Sequence, residues 1–326
     1  STWHKLKWPL IALALVLLFN FFFSNGFFQV EIKNGRLYGS LIDIFHRATP
    51  VMLISLGMTL VIATGGVDLS VGSVMAIAGA IGALLLTKDY SVAMVIAAAL
   101  GVSLLLGVWN GALVGIFQVT PIVATLILMV SGRGIAQLLT GGNIITFDNP
   151  SFEFIGRGAL LGLPFTIWLV LFSFLALILF TKRTAAGLFI EATGDNEKAS
   201  KYAGVNTNFV KMMVYAICSL LAGLAGLIVT TDIKGADANN AGQWIELDAI
   251  LAVVIGGTAL TGGRFFFAGS LLGAILIQTL TTTILTRGVP VQWTLVVKAL
   301  VIIAVCLLQS EQFRRFILPR WKKATV

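Results

Sequence analysis

The sequence predicts an all-α integral membrane protein with about ten transmembrane helices. Charged residues make up only 11% of the 326 residues, whereas soluble domains carry about a quarter. The mean hydropathy is +0.97. The apolar residues form long blocks, close to the ~20 residues that a helix needs to cross a ~30 Å hydrocarbon core. The alternating ten-residue strands of a membrane β-barrel are absent. We expect one transmembrane domain over residues 1–326.

Ten apolar blocks are the predicted spans. In chain order they are residues 8–20, 50–63, 71–87, 91–109, 121–139, 164–181, 210–231, 249–260, 268–285 and 293–308. The first is not a removable signal peptide, because no small-residue cleavage site closes it and an amide and three phenylalanines continue it. Pro121 and Pro164 open the fifth and sixth spans, where a missing N–H is tolerated.

The second and eighth blocks are too short to cross alone, since they reach only ~21 Å and ~18 Å as helices. TGGVDLSVGS (64–73) follows the second block, and KGADANNAGQWIELD (234–248) precedes the eighth. Each block must recruit polar neighbours into the membrane or stop part-way. If spans 2–5 and 7–10 are two inverted groups of four, with spans 1 and 6 outside them, the two interruptions fall at equivalent places. Such pairs indicate a transport pathway.

The basic residues predict the orientation of the spans. With Lys5 and Lys7 in the cytoplasm, ten spans return the C-terminus to the same side. The cytoplasmic side then holds a loop at 182–209 and a basic tail of Arg314, Arg315, Arg320, Lys322 and Lys323. The segment 232–248 becomes a periplasmic polar loop. The net charge of +8 therefore serves orientation and contact with anionic lipid, and nucleic-acid binding is not expected.

The motifs of common enzymes are missing. GTALTGGR (257–264) departs from a phosphate-binding loop, because glycine stands where the lysine belongs. His4 and His46 are the only histidines, and neither H-E-x-x-H nor Gly-x-Ser-x-Gly occurs. Cys218 and Cys306 fall inside predicted spans, which indicates two buried free thiols. We expect no catalytic residue, bound metal or cofactor in this chain.

Polar residues at membrane depth are the candidates for a pathway or gate, because they are expensive there. They are Asp68, Asn239, Asn240, Gln243, Trp244, Glu246 and Asp248. The alternative for Asp68, Glu246 and Asp248 is a simple role as an acid at the start of a helix. The amides and the indole suit a sugar, with its hydroxyls and C–H faces. The alternative for them is a polar surface loop.

Four further polar residues fall inside predicted spans. For Lys298 we expect snorkelling, in which the long side chain extends its charge to a membrane interface. Arg133 suggests pairing with a backbone carbonyl or an acid. Asn110 and Gln278 suggest hydrogen bonds between helices.

The loop after the sixth span contains a short predicted helix. We expect Asp195 to cap the N-terminus of a helix from Glu197 to Tyr202. We expect Gly204 to end that helix. An exposed, capped helix between two spans suits docking of a partner, and the alternative is a stable linker.

TGGVDLSVGS, GDNEKASKYAGVNT and LAVVIGGTALTGG, in this order, resemble the permease subunits of bacterial ABC sugar importers of the ribose, xylose and arabinose type. These belong to the branched-chain amino acid and sugar permease superfamily, and the resemblance covers about residues 41–309. It implies a non-enzymatic permease domain in the bacterial inner membrane that works by alternating access. It also implies separate ATPase subunits that use ATP and Mg²⁺, a second permease subunit, identical or different, and a periplasmic sugar-binding protein.

The same resemblance implies which residues couple to the ATPase. GDNEKASKYAGV matches the family's glycine-asparagine-alanine-glycine pattern, although Ser200 stands where alanine is common. The implied coupling residues are Glu191, Gly194, Asn196, Ala199, Gly204 and Val205.

DIKGADANNAGQWIELDAILAVVIGG looks closer still to the permeases of galactofuranose importers. This implies uptake of galactofuranose, with another hexose or pentose or a branched-chain amino acid as alternative cargo. A transporter driven by ions through Asp68, Glu246 or Asp248 is the alternative mechanism.

Overall fold

The computed structural model describes residues 2–24, 26–33 and 35–309. The basic tail predicted at Arg314, Arg315, Arg320, Lys322 and Lys323 lies outside the described residues, as do the side chains of His4, Lys5 and Cys306.

Most of the described chain is helical. The helices are α1 (Thr2–Phe23), α2 (Ser40–Ala63), α3 (Val71–Leu86), α4 (Val92–Gly115), α5 (Pro121–Thr140), α6 (Pro150–Arg157), α7 (Phe165–Arg183), α8 (Ala186–Asp195), α9 (Glu197–Tyr202), α10 (Thr207–Asp232), α11 (Ile245–Ile255), α12 (Phe267–Thr286) and α13 (Val291–Gln309). The strands are β1 (Glu31–Lys33), β2 (Arg36–Tyr38), β3 (Ile145–Thr146), β4 (Ala159–Leu160), β5 (Leu163–Pro164) and β6 (Gly235–Ala236). The prediction of an all-α membrane protein is confirmed at this level.

The strands form three antiparallel pairs, β1 with β2, β3 with β6 and β4 with β5. They lie with α6 at one end of the helical bundle, which we call the hairpin end. The opposite end carries α8, α9 and the loop at 256–266, and we call it the loop end. There, Gly262 and Gly263 lie against Ala63 and Asp195.

A helix lies at each of the ten predicted spans, but the predicted number of membrane crossings is not confirmed. Seven helices of the described chain are long and apolar enough to cross a membrane, namely α1, α2, α4, α5, α7, α10 and α12. α3 has 16 residues and α11 only 11. At 1.5 Å per residue, α11 is about 16 Å long, so it stops part-way through a bilayer.

The expectation that the second span is short is wrong. α2 begins at Ser40 and has 24 residues, because it includes Asp43, His46 and Arg47 ahead of Pro50. The polar residues that lengthen α2 therefore come before the predicted block. The TGGVDLS segment follows the end of the helix. An arginine, a histidine and an acid obscured the helix start in the hydropathy pattern. They are tolerated because they lie at the hairpin end.

The two central helices are α2 and α10, whose apolar windows are 78% and 67% buried, against 11% for α1. α10 packs against α4 and α3, while α2 packs against α12 and α11. Glycines allow this close packing. A side chain at Gly107 would meet the backbone of Tyr215 and Ala216, and one at Gly57 would meet Cys218.

The chain between α10 and α11 returns into the bundle. Residues 235 and 236 pair with β3 at the hairpin end. A few residues later Gly242 lies against Gly72, in the first turn of α3 and ~21 Å from that helix's far end. We call residues 237–244 the re-entrant turn. It forms one wall of the site described next.

Candidate functional site

A polar cleft of about 390 Å³ opens between α3, α5 and the re-entrant turn. Its lining combines amides, one carboxyl group, one guanidinium group, a hydroxyl and an indole. The lining residues are Ser73, Met129, Val130, Arg133, Gly134, Gln137, Asn239, Gln243, Trp244 and Glu246. Four of the seven predicted pathway residues, Asn239, Gln243, Trp244 and Glu246, therefore meet in one place.

The outer part of the cleft is held by side-chain amides. Gln137 Nε2 on α5 donates to Asn239 Oδ1 at 2.8 Å, and Asn239 Nδ2 donates to the Gly142 carbonyl at 3.3 Å. Asn239 thus bridges the re-entrant turn to the end of α5. Its amide oxygen and its amide nitrogen each make one of these bonds, and each keeps one further hydrogen-bonding position for a ligand.

Arg133 holds the inner part of the turn. Its Nη1 donates to the carbonyl oxygens of Ala238 at 3.0 Å and Ala241 at 2.6 Å. The sequence predicted either a backbone carbonyl or an acid as the partner of Arg133, and the structure shows the carbonyls. Glu246 lines the same cleft and attracts the guanidinium without a direct ion pair.

Trp244 and Glu246 lie where the turn becomes α11. Trp244 is the residue before the helix and has a left-handed backbone, with φ of +63°. Its side chain is 54% exposed. Glu246, two residues later, is buried against Gly72 of α3. An exposed indole face beside amides and a carboxyl group can stack on a sugar ring and bond its hydroxyls.

The other three predicted pathway residues lie elsewhere. Asn240 Nδ2 donates to Asp237 Oδ2 at 2.8 Å on the exposed side of the turn. Asp248, in the first turn of α11 as predicted, is bound by Lys298 of α13 at 3.0 Å. The snorkelling predicted for Lys298 is therefore wrong, because an acid on a neighbouring helix satisfies it within the bundle.

Asp68 is completely buried between α2 and α3, away from the cleft lining. Its Oδ1 accepts from the backbone N of Ser70 at 2.9 Å and from its hydroxyl at 2.6 Å. Asn110 Nδ2 of α4 donates to the same hydroxyl at 2.9 Å, so its bond goes to the turn before α3 and not, as was predicted, to a residue within another helix. Ser70 rather than Asp68 immediately precedes α3, so Asp68 orders the turn instead of capping the helix.

The hydrogen bond between helices that was predicted for Gln278 is wrong, because the Gln278 side chain donates to Thr282 on the same helix.

At the loop end, the predicted short helix is α9. Asn196 caps it, since its Oδ1 accepts from Ala199 N at 2.9 Å. The expected cap, Asp195, instead ends α8. Gly204 follows α9 with φ of +87°, and Val205 N donates back to the Ser200 carbonyl at 3.0 Å. This is the glycine-dependent helix end that the sequence predicts.

α8 and α9 are tied to the bundle. A Cβ at Gly194 would collide with the Ala63 carbonyl at the end of α2, so the two backbones touch. Lys211 at the start of α10 binds Glu197 of α9 at 2.8 Å, and Lys201 binds it at 2.9 Å. Burial raises the pKa of Glu197, but these two lysines outweigh it and hold the pKa below its usual value. α8 and α9 are therefore in direct contact with the ends of α2 and α10.

Two neighbours of the cleft were missed in the sequence. Gln137 falls within an apolar block two residues from its predicted end, and Ser73 falls in the first turns of α3. One signal for Gln137 was available, because it lies one helical turn from Arg133 on the same face of α5. Ser73 had no signal, since a serine in a helix commonly bonds its own backbone.

Comparison with known proteins places these features in a family. Residues 40–306 match the model for the permease component of branched-chain amino acid transport systems. The galactofuranose transporter permease protein of Escherichia coli strain K12 is 51% identical over 95% of this chain and 92% of its own length. The fructose import permease protein of Bifidobacterium longum is 38% identical, over 94% of this chain and 88% of its own. The ribose import permease protein of Escherichia coli strain K12 is 34% identical over 96% of both. No solved structure matches the chain.

The chain belongs to this family of permease components. It is a multi-pass protein of the inner membrane and a transport subunit rather than an enzyme. The predicted permease assignment is confirmed.

Proposed function

We propose that this chain is the permease subunit of an ABC importer that moves a monosaccharide, with galactofuranose favoured, from periplasm to cytoplasm. The observation that carries the proposal is the 51% identity to the galactofuranose transporter permease over almost the full length of both chains. The cleft supports it, because its amides, its carboxyl group and the exposed indole of Trp244 suit a polyhydroxylated ring.

Sugar movement follows alternating access between two states of the bundle. The pathway residues are Asn239, Gln243, Trp244 and Glu246 in the cleft, with Asn240, Asp248 and Asp68 controlling the segments around it. Asp68 orders the turn between α2 and α3, and Asp248 joins α11 to α13.

Eight of the ten predicted spans form two inverted groups of four, α2–α5 and α10–α13, and α1 and α7 lie outside them. Helix packing supports this repeat: α10 packs on α4 and α3 as α2 packs on α12 and α11. In this arrangement α2 corresponds to α10, α3 to α11 and α4 to α12. Both termini and the loop end then face the cytoplasm, and the hairpin end faces the periplasm.

Nucleotide chemistry belongs to partner subunits. Two ATPase subunits bind ATP and Mg²⁺ and dock on the loop end, where Glu191, Gly194, Asn196, Ala199, Gly204 and Val205 couple their movement to the bundle. A periplasmic sugar-binding protein delivers the sugar at the hairpin end. A second permease subunit, identical or different, covers the cleft, because the exposed amide of Gln243 and the other polar side chains of the lining are costly to leave facing lipid at that depth. Lipid surrounds the remaining apolar surface.

The test is reconstitution of this chain in liposomes with its candidate ATPase and binding-protein partners, followed by uptake of a panel of labelled sugars. We expect uptake that requires ATP and the binding protein, and that is fastest for galactofuranose. Uptake by the isolated chain under an ion gradient would overturn the proposal, as would ATP-dependent uptake of a branched-chain amino acid in place of any sugar.

A second arm tests the coupling surface. Gly204→Asp adds a negative charge beside α9, in open space, and we expect it to leave ATP hydrolysis intact while uptake falls at least tenfold. Gly204→Asn is the matched control, since asparagine adopts the left-handed conformation and has similar size without the charge. Equal uptake in the two variants would contradict the coupling role.

A further inference from the structure

The re-entrant turn presents a problem that any backbone inside a membrane must solve. Its residues form neither a helix nor a paired strand, apart from one turn of hydrogen bonds such as Ala241 N to Asp237 O at 2.9 Å. Backbone carbonyls that lack partners cost several kcal/mol each in hydrocarbon. Backbone N–H groups within the turn reach the carbonyls of Asp237 and Asn240, whereas the carbonyls of Ala238 and Ala241 depend on a side chain of a neighbouring helix.

One side chain supplies both of these partners. Arg133 Nη1 has two N–H groups, and it donates to Ala238 O at 3.0 Å and Ala241 O at 2.6 Å. These carbonyls lie three residues apart, so a single guanidinium group spans the centre of the turn. Gln137 fixes only the outer residue Asn239. The deepest residue, Gly242, meets Gly72 through backbone contact alone.

The position of Arg133 links this tether to the cleft. Arg133 lines the same cavity as Gln243, Trp244 and Glu246, which follow the tethered carbonyls directly in the chain. Glu246 of this lining is buried against Gly72, the residue that Gly242 of the turn also touches. A shift of the turn by one ångström would therefore move the indole and the amide that shape the cleft.

We propose that Arg133 is a positioning residue. It tethers the re-entrant turn to α5 through the carbonyls of Ala238 and Ala241, and it thereby holds Gln243 and Trp244 in the geometry that binds the transported solute. This role rests on the proposed function for the identity of the solute, but the tether itself is a property of the chain.

The test compares three variants of the full complex. Arg133→Met keeps the length and removes every donor. Arg133→Lys keeps the charge and can reach one carbonyl at a time. Gln278→Met is the control, because Gln278 is also a long polar residue in a helix but bonds only within α12, outside this cleft. The readouts are hydrogen exchange of residues 237–247 without solute, and the KM and maximal rate of ATP-driven uptake of labelled galactofuranose.

For Arg133→Met we expect exchange of residues 237–247 to rise at least tenfold while exchange of α2 and α10 stays unchanged. We expect KM to rise at least tenfold, with a change in maximal rate of less than threefold. Arg133→Lys should fall between Arg133→Met and the native protein in both readouts, and Gln278→Met should match the native protein. If Arg133→Met does not fold, the comparison of Arg133→Lys with the native protein still tests the tether.

Unchanged exchange of residues 237–247 in both Arg133 variants would overturn the tether. Raised exchange with native KM would overturn the positioning role, since the turn would then be loose without consequence for the cleft. If the native complex imports no sugar, the proposed function fails, and the exchange comparison still decides whether Arg133 tethers the turn.

Discussion

The two interruptions of the bundle solve the same problem in different ways. The first, residues 64–70 between α2 and α3, is a tight turn built around a completely buried Asp68. The second, residues 233–244 between α10 and α11, is longer, and it is held by side chains from α5. Asp68 of the first region bonds Ser70 two positions away, and the region's distant partners Asn110 and Tyr215 donate to Ser70 Oγ and to the Val67 carbonyl. In the second region Arg133 and Gln137 of α5, about a hundred positions away in the sequence, hold the backbone and Asn239.

The helices that follow the interruptions differ in the same way. α3 is joined to α5 by a hydroxyl bond from Ser73 Oγ to the Leu128 carbonyl at 3.1 Å. α11 is joined to α13 by the ion pair of Asp248 and Lys298 at 3.0 Å. The first region is thus built around buried polar groups, whereas the second carries exposed ones.

The largest effect is expected where the two regions touch. Gly242 has φ of +68°, and a Cβ there would lie 2.7 Å from the Gly72 carbonyl oxygen. Gly242→Ala should therefore lower the free energy of unfolding by about 3 kcal/mol, as the sum of overpacking and left-handed strain. Thermal unfolding in detergent measures this change.

Two glycines provide matched controls. Gly141 has φ of +60° and Gly101 lies in a helix, and neither has an atom within 4 Å of its would-be Cβ. Gly141→Ala should show the strain without the clash, and Gly101→Ala should show neither. If Gly242→Ala is no more destabilising than Gly141→Ala, the close contact between the two regions is wrong.

The ion pair of the second region should give the next largest effect. Lys298→Met leaves Asp248 without its partner in a mostly buried site, and we expect a loss of about 2 kcal/mol after allowing for partial exposure. Asp248→Asn combined with Lys298→Met should recover at least half of that loss, because no unpaired charge remains. A double-mutant cycle on thermal unfolding measures the coupling, and additive losses would show that the two side chains act independently.

The contacts described above show which features of the fold and the site the sequence could predict and which it could not. Long apolar blocks place a helix at every predicted span, because burial in lipid requires little beyond hydropathy and length. The start of α2 was missed, since its polar residues at the hairpin end look like a loop. Polar side chains at depth were found individually, but their partners were not. The Lys298–Asp248 pair spans 50 positions and the Arg133 contacts more than 100, and spacing within one helix contains no information about such pairs.

The turn of the first region is expected to give a smaller effect. Asp68→Ala leaves the backbone N and the hydroxyl of Ser70 without their acceptor, for a loss of about 1 to 2 kcal/mol. Asp68→Asn keeps an oxygen at the same position, so its stability should stay within about 0.5 kcal/mol of the native protein. Thermal unfolding of both variants tests this, and uptake by Asp68→Asn should remain near the native rate. Loss of uptake in a stable Asp68→Asn variant would show that the carboxyl group, and not the turn it orders, is needed.

The smallest effect on stability is expected at Trp244, where the second region meets the cleft. Its left-handed backbone, with φ of +63°, is strained for a bulky residue. Trp244→Gly removes this strain but adds flexibility to the unfolded chain, so the free energy of unfolding should change by less than about 1 kcal/mol. The indole face is lost, and since aromatic contacts contribute about 1 kcal/mol, KM for the labelled sugar should rise about fivefold.

Leu161→Gly is the matched control for this change. Leu161 has φ of +53° and lies exposed in the hairpin of β4 and β5, away from the cleft. It should show the same small change in stability with native KM. Trp244→Phe, which keeps an aromatic face, should raise KM less than Trp244→Gly. If both variants keep the native KM, the indole does not contact the sugar.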